Sequence, residues 1–152
     1  MSDEAARLMR SAWKIIPHFP CTSVAATVKF YTENLHFELG GVHPGDCPIE
    51  EATMCSVAVG LKAAANIYLF RKAGSFEPSA TMIAMGTEQL DKYYQILVDE
   101  GKVKISMPIE DQPWGYRQFE VNDSDGNRIQ FFKFLEGGNP GTEDGGDASL
   151  EI

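Results

Sequence analysis

The sequence predicts an α+β protein made of two βαβββ modules that curl around a shared cavity, with the helices outside. Three observations carry this. The order strand, helix, three strands occurs twice along 152 residues. Landmark residues recur at a nearly constant interval: Phe30-Tyr31 returns as Tyr93-Tyr94, 63 residues on, and Ile67-Tyr68 as Ile129-Gln130, 62 residues on. The chain is 43% hydrophobic and 23% charged, values of a folded domain with a core of its own.

Asp3 and Glu4 suit a first helical turn, and Ala5, Leu8, Met9 and Ala12 follow at helical spacing, so a short N-terminal helix is expected over about 3–13. Lys14–Cys21 reads as a strand bounded by prolines. Ser23 can cap a helix to about Leu35, with Val24, Val28, Tyr31 and Leu35 on one face. Strands follow at Phe37–Val42, Thr53–Leu61 and Asn66–Arg71. The second module opens with a strand at Ala80–Met85. Thr87 can cap the next helix, which places Leu90, Tyr93, Tyr94 and Leu97 on one face and stops at Gly101. Strands at Val103–Met107, Arg117–Val121 and Arg128–Phe134 complete it, with Asp123-Ser124-Asp125-Gly126-Asn127 as the last turn.

These elements define one domain over residues 1–136, with modules at about 14–72 and 79–135. Residues 137–152 hold five Gly, one Pro and four acids with no base, the composition of a disordered acidic tail. The net charge is −9, from 22 acids and 13 bases. That balance argues against nucleic acid and against anionic lipid as partners. No apolar run reaches the roughly 20 residues of a membrane span, and MSDEAARLMR lacks the apolar stretch of a secretory signal. With three cysteines, Cys21, Cys47 and Cys55, the expectation is free thiols in the cytoplasm.

Two stretches, IPHFPCTSVAATVKFYTENLHFEL and QPWGYRQFEVNDSDGNRIQFF, resemble the opening and the ending of the vicinal-oxygen-chelate superfamily. That superfamily includes glyoxalase I, extradiol dioxygenases, and fosfomycin- and bleomycin-resistance proteins, and the two stretches look most like the bleomycin-resistance branch. The resemblance spans about Ile15 to Leu135. It implies a small-molecule ligand, a homodimer and a role in sequestration or antibiotic resistance. It also leaves room for a lyase, isomerase or dioxygenase, because one scaffold hosts many chemistries.

Metal-dependent members take ligands from the first and last strand of each module. Those positions project here onto Ile16, Tyr68, Met82 and Gln130. Ile and Met do not ligate a hard or borderline divalent ion, and such an ion normally takes three or more protein ligands. Neither a metal nor another cofactor is therefore expected. His18 lies two residues past Ile16 on the same strand face. It is a pocket-lining histidine, a displaced ligand, or the acid/base of an enzyme. His36 stands where the resembled family has glycine, and a surface role is expected. His43 and Cys47 lie in a Gly/Pro loop and make too small a set for a metal. Cys21 falls on the strand face opposite His18, which argues against a Cys–His nucleophile.

Strand alternation assigns the cavity lining: His18, Tyr68, Phe70, Met82, Tyr116, Gln118, Gln130 and Phe132, with Phe134, Ala84 and Gly86 on the same faces. Ile67, Leu69, Phe119, Val121, Ile129 and Phe131 are the packing partners. Aromatics on strands also simply fill cores. Trp114, between Pro113 and Gly115, is either a plate over the cavity mouth or a seal for a sheet edge or dimer contact. Arg117 either reaches a ligand anion or pairs with Asp111 or Glu120. The reading that results is metal-independent binding of a small planar or aromatic molecule by His18, Tyr68, Phe70, Met82, Trp114, Tyr116, Gln118, Gln130 and Phe132.

Overall fold

The computed structural model describes residues 3–61 and 64–139. Two four-stranded sheets and two α-helices form the two modules, and a third α-helix precedes them. In the first, β1 (His18–Cys21) leads into α2 (Val24–Lys29), followed by β2 (Glu38–His43), β3 (Met54–Val59) and β4 (Ala65–Arg71). In the second, β5 (Ala80–Ala84) leads into α3 (Gln89–Glu100), then β6 (Lys104–Asp111), β7 (Tyr116–Asn122) and β8 (Arg128–Phe134). The strand orders are β1-β4-β3-β2 and β5-β8-β7-β6, so each module places its last strand parallel to its first. No helix among the described residues is long and apolar enough to cross a membrane.

The helix signals resolve unevenly. Ser23 caps α2 by accepting the Ala26 N–H. The turn after α2, Phe30–Asn34, widens to π geometry, which lets both Tyr31 and Leu35 reach the core. His36 follows with φ 65°, a left-handed backbone that accounts for glycine in the resembled family. Its Nε2 lies 2.8 Å from Glu100 Oε1. Gly101 ends α3 at φ 66° with its N–H donated to Leu97. The expected Thr87 cap is not made: α3 begins at Gln89, and the Thr87 carbonyl instead accepts the Lys133 ammonium. The N-terminal helix α1 (Asp3–Met9) is present, but none of its residues is buried. β1 starts only at His18, because Pro17 has no N–H to give to a ladder. Of the predicted tail, Asn139 folds back to clasp the backbone N–H and C=O of Phe134, while residues 140–152 lie outside the described residues.

A single apolar core joins the modules. It takes Val24, Val28, Tyr31 and Leu35 from the first helix segment and Leu90 and Leu97 from α3. The predicted packing residues Ile67, Leu69, Phe119, Val121, Ile129 and Phe131 meet them. Phe131 sits where the modules join: its ring centroid is 5.1 Å from Tyr93, 5.2 Å from Phe119 and 6.5 Å from Phe37 of the first module. The Tyr93 hydroxyl donates to the Leu35 carbonyl at 2.7 Å. Each helix thus packs on the core-facing row of its own sheet, which leaves a free face on the other side of that sheet.

Polar contacts complete the junction at the β7–β8 turn. Asp123 accepts four hydrogen bonds: from the backbone N–H groups of Asp125 and Asn127, the Asn127 amide, and the Tyr31 hydroxyl of the first module. Asn127 also donates to the Pro20 carbonyl and accepts the Ser79 N–H. Asp125 accepts from Thr22 and Thr27. Burial pushes the Asp123 carboxyl above its ordinary range, against the pull of the Asn127, Asp125 and Tyr31 donors. Gly126 makes the turn possible. Its φ is 85°, and a Cβ there would lie 3.3 Å from Pro78.

Candidate ligand-binding site

Side chains alternate along a strand, so each core-facing row leaves a second row on the free face. The predicted lining occupies those second rows and falls on two surfaces, one per module. Among the described residues, no ring contact or side-chain hydrogen bond links one surface to the other.

On the first sheet, His18 pairs in register with Tyr68 and stacks on its ring at 5.6 Å and 18°. Phe70 stands edge-on to the imidazole at 6.1 Å. Beside them lies a groove of ≈ 340 Å³ lined by Gly41 to His43 on β2, Met54 and Ser56 on β3, and Tyr68 on β4. A Cβ at Gly40 would lie 3.2 Å from Ser56 Oγ, so glycine lets β2 close against β3 at this point. His43 is thus a groove residue rather than a plain loop residue. Turn signals alone did not reveal this, because β2 extends one residue past its predicted end.

The second sheet carries a denser set. Tyr116 and Phe132 stack at 5.0 Å and 28°, with Phe134 edge-on to both. Trp114 is 57% exposed, and its indole Nε1 donates to Gln118 Oε1 at 3.4 Å. Gln118 is buried, and Met82 on β5 lies in register with Gln130. Glu120 also belongs to this face and was missed. Its parity with Gln118 is the sequence signal for this, and Arg117 bonds Asp91 and Asp111 rather than Glu120. A bulge in β6 leaves Ser106 as the extra residue between the pairs Ile105–Val121 and Met107–Glu120. The Ser106 hydroxyl donates to Glu120 Oε2 at 2.6 Å, and Gln130 Nε2 donates to Oε1 at 3.3 Å.

Arg117 is committed elsewhere. It bonds Asp111, as expected, and makes a second, forked pair with Asp91 of α3. The hydrogen bonds from Arg117 hold the Asp91 carboxyl below its ordinary range. Stability from this pair is therefore present above the ordinary carboxylate pKa and is lost as pH falls through the lowered one. Asp91 is about half exposed, which limits the contribution to roughly 1 kcal/mol or less.

Cys21 is buried while His18, three residues earlier on β1, is exposed, so the two side chains lie on opposite faces. Burial pushes the Cys21 thiol up to about 11 and the Cys55 thiol up to about 12, leaving neither as a thiolate nucleophile near neutral pH. Iodoacetamide at pH 8 should therefore label Cys47 in the native protein, and Cys21 and Cys55 only after unfolding in urea. Peptide mass spectrometry reads the order; native labelling of Cys21 at the rate of Cys47 would contradict the buried placement. Among the described residues, no group of three or more His, Cys, Asp or Glu is placed to hold a metal ion. His18 and Gln130 lie on different sheets.

The family model of the Glyoxalase/Bleomycin resistance protein/Dioxygenase superfamily matches residues 15–131. No curated protein matches the sequence. Among solved structures, the chain is similar to a glyoxalase-related enzyme from Clostridium phytofermentans, at 22% identity over 81% of this chain and 95% of that one, with a TM-score of 0.64. It is also similar to the bleomycin-binding protein of bleomycin-producing Streptomyces verticillus, solved with copper(II)-bleomycin, at 20% identity over 80% and 95%, TM-score 0.61. A lactoylglutathione lyase from Agrobacterium tumefaciens aligns at 14% identity over 84% and 97%, TM-score 0.62. At these identities the likeness is one of fold.

Proposed function

The chain belongs to the Glyoxalase/Bleomycin resistance protein/Dioxygenase superfamily, and from that premise we propose that it binds a small planar or aromatic molecule, without a metal, on the free faces of its sheets. The observation that carries this reading is the aromatic wall of the second sheet. Tyr116 and Phe132 form a stacked pair beside a tryptophan whose indole is tethered at its nitrogen and open on its rings. Such a wall offers ring faces for stacking, and Gln118 and Gln130 supply neutral hydrogen-bonding groups to orient a ligand.

A second copy of the chain completes the site in this reading. Within one chain, no ring contact or side-chain hydrogen bond among the described residues joins the two free faces. A twofold pair would set His18, Tyr68 and Phe70 of one copy opposite Met82, Gln130 and Phe132 of the other. The exposed Met82, Trp114, Phe134 and Leu135 support such cover. The enzyme alternative, a lyase, isomerase or dioxygenase using His18, has less support. His18 has a ring to stack on, but no hydrogen-bond partner among the described residues to set its tautomer.

Sedimentation equilibrium and calorimetric titration with planar ligands test the two parts together: a dimer that binds about one ligand per chain is expected. A monomer that binds none would remove the proposal. Trp114→Ala should weaken binding by up to about tenfold from lost stacking, with more from lost apolar contact. It should change folding stability by less than about 1 kcal/mol, because the side chain is more exposed than buried. Unchanged affinity beside a large loss of stability would make Trp114 a structural seal.

A further inference from the structure

The buried polar side chains among the described residues sort into two groups. Thr27, Asp123 and Asn127 belong to the junction between the modules, whereas Asn66, Gln118 and Glu120 lie on the free sheet faces. Glu120 is the carboxylate of the second group, and it is 6% exposed. Its one ion pair among the described residues is long and leans on an exposed partner. Ser106 and Gln130 are uncharged donors, and the nearest cation, Arg128 Nη1, stands 3.8 Å from Oε1 on a side chain more than half exposed. Asp91, by contrast, meets Arg117 in a fork with contacts of 3.0 to 3.2 Å. A buried carboxylate is costly unless a positive partner completes it.

We propose that Glu120 makes this face selective for a ligand that carries an ammonium group on a short arm beside its planar ring. The inference rests on the planar-ligand reading above and adds the charge. The hydrogen bonds orient the acceptors. Gln130 spends its Nε2 on Glu120, which leaves its Oε1 as a second acceptor beside the carboxylate, without a partner among the described residues. Gln118 spends its Oε1 on Trp114 and presents its nitrogen instead. A carboxylate with an adjacent amide oxygen suits the three N–H donors of an ammonium. Register supplies the spacing: Glu120 pairs with Gln130, and Gln118 with Phe132, two residues along the same strands. That step is about 7 Å, the reach of a two- or three-atom arm from ring to nitrogen. The net charge of −9 further favours the approach of a cation.

The test uses one ring with three charges: 2-(1-naphthyl)ethylamine, 2-(1-naphthyl)ethanol and 1-naphthylacetate, titrated calorimetrically at pH 7 and low salt. The amine should bind at least about tenfold tighter than the alcohol, and the acetate most weakly. Glu120→Gln keeps the shape and an acceptor for Ser106. It should abolish the amine's advantage over the alcohol, bringing the two affinities to within about twofold of each other. Arg128→Gln removes the rival cation and should widen the preference for the amine. A wild-type protein that binds alcohol and amine alike overturns the assignment of Glu120, as does a Glu120→Gln protein that loses both equally, which is the mark of a structural role. If none of the three binds, the planar-ligand reading itself fails and takes the charge assignment with it.

Discussion

Asp123→Ala is expected to cost about 3–5 kcal/mol of folding stability, enough to lower the melting temperature by roughly 10 °C or more. The substitution removes the acceptor of four hydrogen bonds at once. It strands the Tyr31 hydroxyl, the Asn127 amide and the Asn127 N–H at a buried site, and the part-buried Asp125 N–H. Urea denaturation measures the loss. Asp125→Ala is the internal comparison: its acceptors serve Thr22 at the surface and Thr27, so a loss of about 1–2 kcal/mol is expected. A cost for Asp123→Ala no greater than that for Asp125→Ala would mean that water replaces the carboxylate, and the junction would then owe little to it.

Phe131→Ala should have a comparable effect, about 3–5 kcal/mol, for an apolar reason. The ring is 2% exposed and packs against Tyr93 and Phe119 of its own module and Phe37 of the other. Truncation opens a cavity where both modules need support, with little room for collapse among aromatic neighbours. Because the ring belongs to both halves, the variant should still unfold in one transition with an unchanged denaturant slope. Two separated transitions would show that each module is stable without the other, contrary to a single shared core.

Much of this architecture is legible in the residues because module repetition and strand alternation are local signals. Ser23 as a cap and Gly101 as a stop both hold, since each acts on backbone groups a few residues away. So does the division between the Ile67, Leu69, Phe119, Val121, Ile129 and Phe131 rows and their neighbours. What was not legible depends on distance in the chain. Thr87 has the chemistry of a cap, but α3 begins only at Gln89, and the Thr87 carbonyl accepts from Lys133, 46 residues away. Arg117 acquires Asp91 because α3 lies over β7, and no spacing announces that pairing. The site divides in the same way. Alternation places His18, Tyr68, Gln118 and Gln130 on free faces. It does not say that a bulge in β6 sets Ser106 against Glu120 and turns a surface acid into part of the face.

The polar junction is one-sided, and this has a consequence for how the two halves breathe. Tyr94 is the repeat counterpart of Tyr31, yet it packs on Phe119 and has no carboxylate partner among the described residues. The chain from Val59 to Asn66, counterpart of the clamped β7–β8 turn, contains no acid at all. The clamped turn can open only together with the core beneath it. The second sheet is therefore held to the core from its turn inward. In the proposed site, an aromatic ring seated on Tyr116 and Phe132 would meet a surface preset by that clamp.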